Sequence, residues 1–234
     1  TPEVAPFGLL LSTLRNKKAL VIPPNGTASV MSTPDTLPFP ADEIVDVKAK
    51  ISGDGTLTGH FDLSIRGDTE VVLKSAFYAA PSAQWNQLAQ NVAMLMGYAG
   101  TVSNVAVDNP TGDGPFHYSY DYERKNYSDW ANRRITIPTP PVGFEDLTAQ
   151  PAEPITVGAK GTVTHRASLQ VPEGFSLLTP GSAEFKSSFA EYRSSYSFAN
   201  GILTSERVLT RKMATIPATD WMEFREFIQD VMRD

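Results

Sequence analysis

Cysteine is missing from all 234 residues, which excludes a disulfide-built scaffold, a cysteine-ligated metal and any reaction run by a thiolate of this chain. Histidine is scarce as well. His60, His117 and His165 are the full set, each in a different strand pattern and none with a second ligand-type residue at metal-site spacing, so neither a metal nor another cofactor is expected. An excess of basic charge is also lacking: 20 basic against 26 acidic residues leave −6, which disfavours general affinity for nucleic acid or anionic lipid. No run approaches the ~18 uncharged apolar residues that span a bilayer, so membrane insertion is not expected. The opening Thr1-Pro2-Glu3 lacks the basic start and apolar stretch of a signal peptide, and we read it as a cut from a longer chain. Phosphate-loop chemistry is not encoded either, because Gly53-Asp54-Gly55 and Gly112-Asp113-Gly114 have neither the lysine nor the following helix it needs.

What is present is a globular composition, 41% apolar and 20% charged, punctuated by proline. Pro23 to Pro40 holds five prolines in 18 residues and Pro138 to Pro154 holds five in 17, and both stretches read as extended connectors. They divide the chain into an entry segment with its connector (1–40), a β-rich domain (41–137), a Pro-rich linker (138–154) and a second β-rich domain (155–234).

In the first domain, alternation through Ile44, Asp46 and Lys48 breaks at Gly53-Asp54-Gly55. It resumes with Leu57, Gly59, Phe61, Leu63 and Ile65 on one side, which is a hairpin signal. A turn at Arg66-Gly67-Asp68 then leads to Val71, Leu73 and Phe77, read as a third strand of a meander. Behind Ser82 as N-cap, Trp85, Leu88, Val92 and Leu95 recur at helical spacing, so a helix is expected at about 82–96, with Gly97 as its stop. Further strands are expected at Val102 to Val107, Phe116 to Glu123 and Arg133 to Ile137.

The second domain opens on Thr162 to Val171, which places Val163, His165, Ala167 and Leu169 on one face of a strand with the other face wet. Ala183 to Phe198 and Ile202 to Met213 flank Asn200-Gly201, a pair suited to a type I′ hairpin. After Pro217, Trp221, Phe224, Ile228 and Val231 share one helical face, so a helix is expected at about 219–233. Regular strands and turns imply a mainly β class with minor α: two antiparallel β-sandwich-like domains, each with one amphipathic helix burying its Trp.

The two domains share an order. Asp54-Gly-Thr-Leu-Thr58 and Asn200-Gly-Ile-Leu-Thr204 each lead into a strand, and both domains then reach a helix through Pro-x-x-x-Trp, Pro81 to Trp85 and Pro217 to Trp221. Internal duplication and the independent recurrence of common hairpin and helix-start signals both account for this.

Carboxylate pairs at Asp42-Glu43, Glu145-Asp146 and Asp230 with Asp234 satisfy the residue types of a glycosidase, but every acidic protein offers such pairs, and they are read as solvated charges at loop and helix ends. Phe116, Tyr118, Tyr120 and Tyr122 alternate strictly. As a strand face they are either core or a stacking platform. Tyr127, Trp130, Arg133 and Arg134 follow at a strand-to-loop transition and form the candidate interaction surface, since aromatic and arginine side chains anchor interfaces. No Gly-x-Ser-x-Gly elbow occurs, so a stand-alone hydrolase would need a Ser, His and Asp brought together by the fold alone.

Three stretches carry a family resemblance: Asp54-Gly-Thr-Leu-Thr-Gly59, the run from Phe116-His-Tyr-Ser-Tyr-Asp-Tyr-Glu to Arg133-Arg-Ile-Thr-Ile-Pro138, and Asn200-Gly-Ile-Leu-Thr-Ser-Glu-Arg-Val-Leu209. They resemble the C-terminal half of large bacterial proteins that carry an N-terminal domain of unknown function, then a transglutaminase-like core, then this region. The likeness covers nearly the whole chain. In that family the core works through a Cys-His-Asp triad whose Asp precedes a Thr- and Pro-containing exit. Thr1-Pro-Glu-Val-Ala-Pro-Phe-Gly8 resembles that exit, with Lys18-Ala-Leu-Val-Ile22 as the next strand. No triad residue carries over, because there is no Cys and no position matches the His or Asp. The resemblance implies a non-catalytic accessory region in the periplasm or outside the cell, partnered by the upstream core and by its protein or glycan substrate. A carbohydrate- or peptide-binding module is the alternative.

Overall fold

A computed structural model describes residues 4–108, 114–127, 129, 132, 134–144, 147 and 149–234. In chain order its elements are β1 (Lys18–Val21), β2 (Ser29–Ser32), β3 (Glu43–Ile51), β4 (Leu57–Ile65), α1 (Asp68–Ala79), α2 (Trp85–Leu95), β5 (Thr101–Asp108), β6 (Phe116–Arg124), β7 (Ile155–Thr156), β8 (Gly161–Gln170), β9 (Ala183–Lys186), β10 (Ala190–Ala199), β11 (Ile202–Arg211), β12 (Thr215–Ile216) and α3 (Trp221–Arg233).

Eight strands form one mixed sheet in the order β5-β6-β4-β3-β8-β11-β10-β9. Every neighbouring pair is antiparallel except β3 and β8, which run parallel and join the two halves. The mainly β class therefore holds, but the strands lie in one sheet rather than in two sandwich-like ones. Local hydrophobic patterning specifies which face of each strand is buried and leaves its neighbour open, which is why the shared sheet was not anticipated.

The alternation read from sequence sets the two faces. Val45, Val47, Phe61, Leu63, Ala167 and Leu169 are buried on the inner one, and their intervening neighbours form the outer one. Two apolar cores lie under the helices. The first joins Leu73 and Phe77 of α1 and Ala89 and Ala93 of α2 to β3, β4 and β6. The second joins Phe224, Phe227, Ile228 and Val231 of α3 to Phe189, Tyr192 and Leu209. Trp85 and Trp221 are half-buried against the first and second cores respectively.

Three strand expectations are corrected. Val71 to Phe77 lies in α1, whose start is set by Glu70: its carboxylate accepts the Gly67 N–H at 3.1 Å and, with Lys74 at 2.7 Å and Arg66 at 3.0 Å, forms a buried ionic cluster at i, i+4 spacing. The Glu70–Lys74 pair is set by helical i, i+4 spacing and the Glu70–Gly67 bond caps the first turn, and together they override the β-branched residues. Ile135 to Ile137 form no strand, and Arg134 makes only an isolated bridge to Asp129, while Arg133 lies outside the described residues. The arm expected from Ala183 to Phe198 is divided into β9 and β10, with a turn between them closed by Ser187 N–H to Ala190 O at 2.9 Å.

Lys18–Val21 is a strand, as expected, paired with β2 in a separate hairpin. The entry segment packs Val4 and Leu9 on Val71 of α1, and Arg15 pairs with Asp68. No helix among the described residues is long and apolar enough to cross a membrane.

Candidate functional site

Among the described residues no helix packs on the outer sheet face, and the cross-strand registers align its side chains in rows. One row runs Ser103, Asp121, His60, Lys48, Ser168 and Thr204 across β5, β6, β4, β3, β8 and β11. His60 Nδ1 lies 2.8 Å from Asp121 Oδ1, and Asn104 Nδ2 donates to Asp121 Oδ2 at 2.8 Å. These two bonds, Asn104's first, hold the Asp121 carboxyl below its ordinary range. In the next row Arg166 bridges Asp46 at 3.4 Å and Glu206 at 2.9 Å. Around the first row lies a shallow groove of about 600 Å³, lined among others by Lys48, Lys50, His60, Asp121 and Gln170. It offers donors, acceptors and both signs of charge along an extended track.

The sheet edges offer less. β5 carries a bulge between Ser103 and Ala106, with Asn104 at φ 52°, and β9 is four residues long with Glu184 and Lys186 paired on it. Bulges, shortness and charge are the devices that keep an edge from accepting another strand.

Of the candidate interaction residues, Tyr127 is half-buried against the first core and its hydroxyl donates to Thr136 O at 3.0 Å. Arg134 is exposed. Trp130 and Arg133 lie outside the described residues. The strand aromatics Phe116, Tyr118, Tyr120 and Tyr122 are core residues, none more than 3% exposed.

The histidines separate widely. His165 is buried, with Nδ1 at 3.2 Å from Pro140 O and Nε2 at 3.1 Å from Glu43 Oε1, an arrangement that ties the linker to β3 and β8. His117 Nε2 lies 3.3 Å from Ser64 Oγ, and Asp108 is its register partner on the other side. That row has the residue types of a serine nucleophile, but Asp108 makes no hydrogen bond to His117 and the row lies on the open face. Among the described residues no group of three or more His, Asp or Glu is placed to hold a metal ion.

The carboxylate pairs take structural positions. Asp42 accepts the Thr162 N–H at 2.8 Å and Asp230 pairs with Arg233 at 3.2 Å, while Glu145 and Asp146 lie outside the described residues. Asp234 belongs to a different arrangement. Its Oδ2 accepts hydroxyl hydrogens from Tyr192 at 2.6 Å and Tyr196 at 2.7 Å, beside Arg207 Nε at 3.8 Å. In sequence Asp234 stands only as one of a carboxylate pair; the residue that marks the cluster is Arg207, an arginine at an inward position between Ser205 and Leu209. No family model, curated protein or solved structure matches the chain.

Proposed function

We propose that this chain is a non-catalytic accessory module of a transglutaminase-like protein acting in the periplasm or outside the cell, and that its uncovered sheet face holds the catalytic unit or that unit's protein substrate. The observation that carries the reading is the outer face itself: rows of paired charge across the sheet, a groove along Lys48, Lys50 and His60, and edges blunted against strand addition. An extended polypeptide laid across such a face meets alternating donors and acceptors without competing for the ladder. The resemblance in sequence supplies the identity of the partner. The thiol of such a reaction comes from that partner, since this chain has no cysteine.

The test adds the chain in trans to a transglutaminase-like catalytic domain expressed from the same reading frame and follows turnover of a polypeptide substrate. The chain should lower KM with kcat nearly unchanged, and the double substitution Lys48→Glu, Lys50→Glu should remove most of that effect without moving the thermal midpoint. Crosslinking, amidase or peptidase turnover by the purified chain alone would overturn the proposal, and so would a charge-reversed variant that works as well as the parent.

A further inference from the structure

On the opposite, inner face of the sheet, the two helical layers leave a gap. α1 and α2 cover the first core and α3 covers the second. Between them the chain crosses β10 and β11 as irregular segments at 135–141 and 176–180, enclosing a cleft of about 820 Å³. That volume falls within the ~300–1,000 Å³ of small-molecule sites. Ile137, Leu177 and Leu203 supply apolar wall, while Tyr196, Arg207 and Asp234 supply the polar groups.

The polar groups are unequally satisfied. Asp234 has both tyrosine hydroxyls on Oδ2 and its side chain is only 6% exposed. Arg207 is 17% exposed and donates one hydrogen bond, from Nε to Tyr192 Oη at 2.8 Å, so its two Nη groups have no hydrogen-bond acceptor among the described residues. Ser205, the cross-strand partner of Tyr196, is buried with a hydroxyl that has no hydrogen-bond partner among the described residues. A guanidinium is a planar fork that matches a carboxylate through two parallel N–H donors. The neighbouring Asp234 charge selects against a dianion such as phosphate and is tolerable to a monoanion.

We propose that this cleft binds an organic monocarboxylate with an apolar body. The carboxylate bridges the Arg207 Nη groups and the body lies against Leu203, Ile137 and Leu177. Two sources share this chemistry, a free acyl acid and the C-terminal carboxylate of a peptide ending in apolar residues. The site lies on the face opposite the proposed docking surface and does not depend on that reading.

Calorimetric titration of the full chain with decanoate, N-acetyl-Leu-Leu acid, N-acetyl-Leu-Leu amide and inorganic phosphate tests it. At least one of the two acids should bind, and which one does identifies the source. For the peptide, amidation should weaken binding about 10- to 100-fold, the worth of a charge-assisted hydrogen-bond pair. Arg207→Gln should cause a loss of similar size. If that variant fails to fold, Arg207→Lys, which keeps the charge but not the fork, and Thr136→Trp, which narrows the cleft from an exposed position, take its place; each should weaken binding. The proposal is overturned if neither acid binds at millimolar concentration, if the peptide amide binds as tightly as its acid, if phosphate competes as well as the acids, or if the folded variants bind like the parent.

Discussion

Tyr118 and Tyr120 were legible as inward-facing from period two alone, but the environment of their hydroxyls was not. Together with Tyr98 these hydroxyls are buried without a hydrogen-bond partner among the described residues, and burial raises all three phenol pKa values far above the ordinary 10.0. Raised folded-state pKa values mean that the stability these residues support is intact below pH 10 and is lost as pH climbs above it, because the unfolded chain then releases protons that the folded one retains. Each contributes a slope of about 1.4 kcal/mol per pH unit in that window. The thermal midpoint should therefore fall steeply above pH 10, with phenolate absorbance appearing together with unfolding. Tyr118→Phe and Tyr120→Phe should be neutral or stabilising at pH 7, since neither removes a protein hydrogen bond, and each should flatten the alkaline loss. Phenolate signal appearing in the folded protein near pH 10 would show that these hydroxyls are solvated.

At the scale of elements, the Pro-x-x-x-Trp starts that appeared equivalent in sequence do share local geometry. Pro81 and Pro217 have φ of −57° and −55°, and each precedes a three-residue 3-10 turn that runs into α2 or α3. Their tryptophans differ. Trp85 Nε1 lies 3.2 Å from both Phe77 O and Ala80 O, whereas Trp221 Nε1 is buried with no acceptor among the described residues. Replacing each by Phe separates the two: Trp85→Phe should cost about 1 kcal/mol in urea denaturation and Trp221→Phe close to nothing. Trp85→Ala should cost about 2 kcal/mol, below the range of fully buried tryptophans because the ring is only partly buried. Equal losses for the two Phe variants would mean that the indole N–H contacts do not hold α2 in place. The hairpins also diverge. β3, which precedes Asp54-Gly55, lies at the centre of the sheet, while β10, which precedes Asn200-Gly201, lies one strand from its edge. The likeness between the halves is therefore local.

For the molecule as a whole, the parallel pair β3 and β8 decides whether the halves act together. Its entry is tight: Ala41 N–H donates to Lys160 O at 2.9 Å, and Arg211 Nη2 donates to Ala41 O at 3.2 Å. A Cβ built on Gly161 would come within 2.0 Å of Ala41 O. Gly161→Ala should accordingly cost about 3 kcal/mol by forcing the two strands apart at their start. In a variant retaining Trp85 or Trp221 as its sole tryptophan, tryptophan fluorescence from that half and far-UV circular dichroism from the whole sheet should give the same urea midpoint, because one sheet unfolds as one unit. Two separated midpoints would show that the halves are independent domains after all.

Features that neighbours along the chain can satisfy are readable from residue order alone. The β3–β4 hairpin, the Asn200-Gly201 turn with φ of 53° and 75°, the wet face of β8 and the apolar stripe of α3 each follow from a turn residue or a period repeated within one segment. Tertiary structure decided what needs a partner from far away. Nothing local in Glu43 to Lys50 specifies Val163 to Gln170 as the adjoining strand, and hydrophobic patterning cannot say which strand lies beside another. The outer groove draws its residues from several strands, and the cleft draws Tyr196, Arg207 and Asp234 together with the linker and the 176–180 segment. A polar group at an inward position is tolerable only when distant residues meet it there. Arg207 occupies an inward position of its strand, and Tyr192 and Asp234, the groups it meets, reach it only where the sheet and α3 close over it.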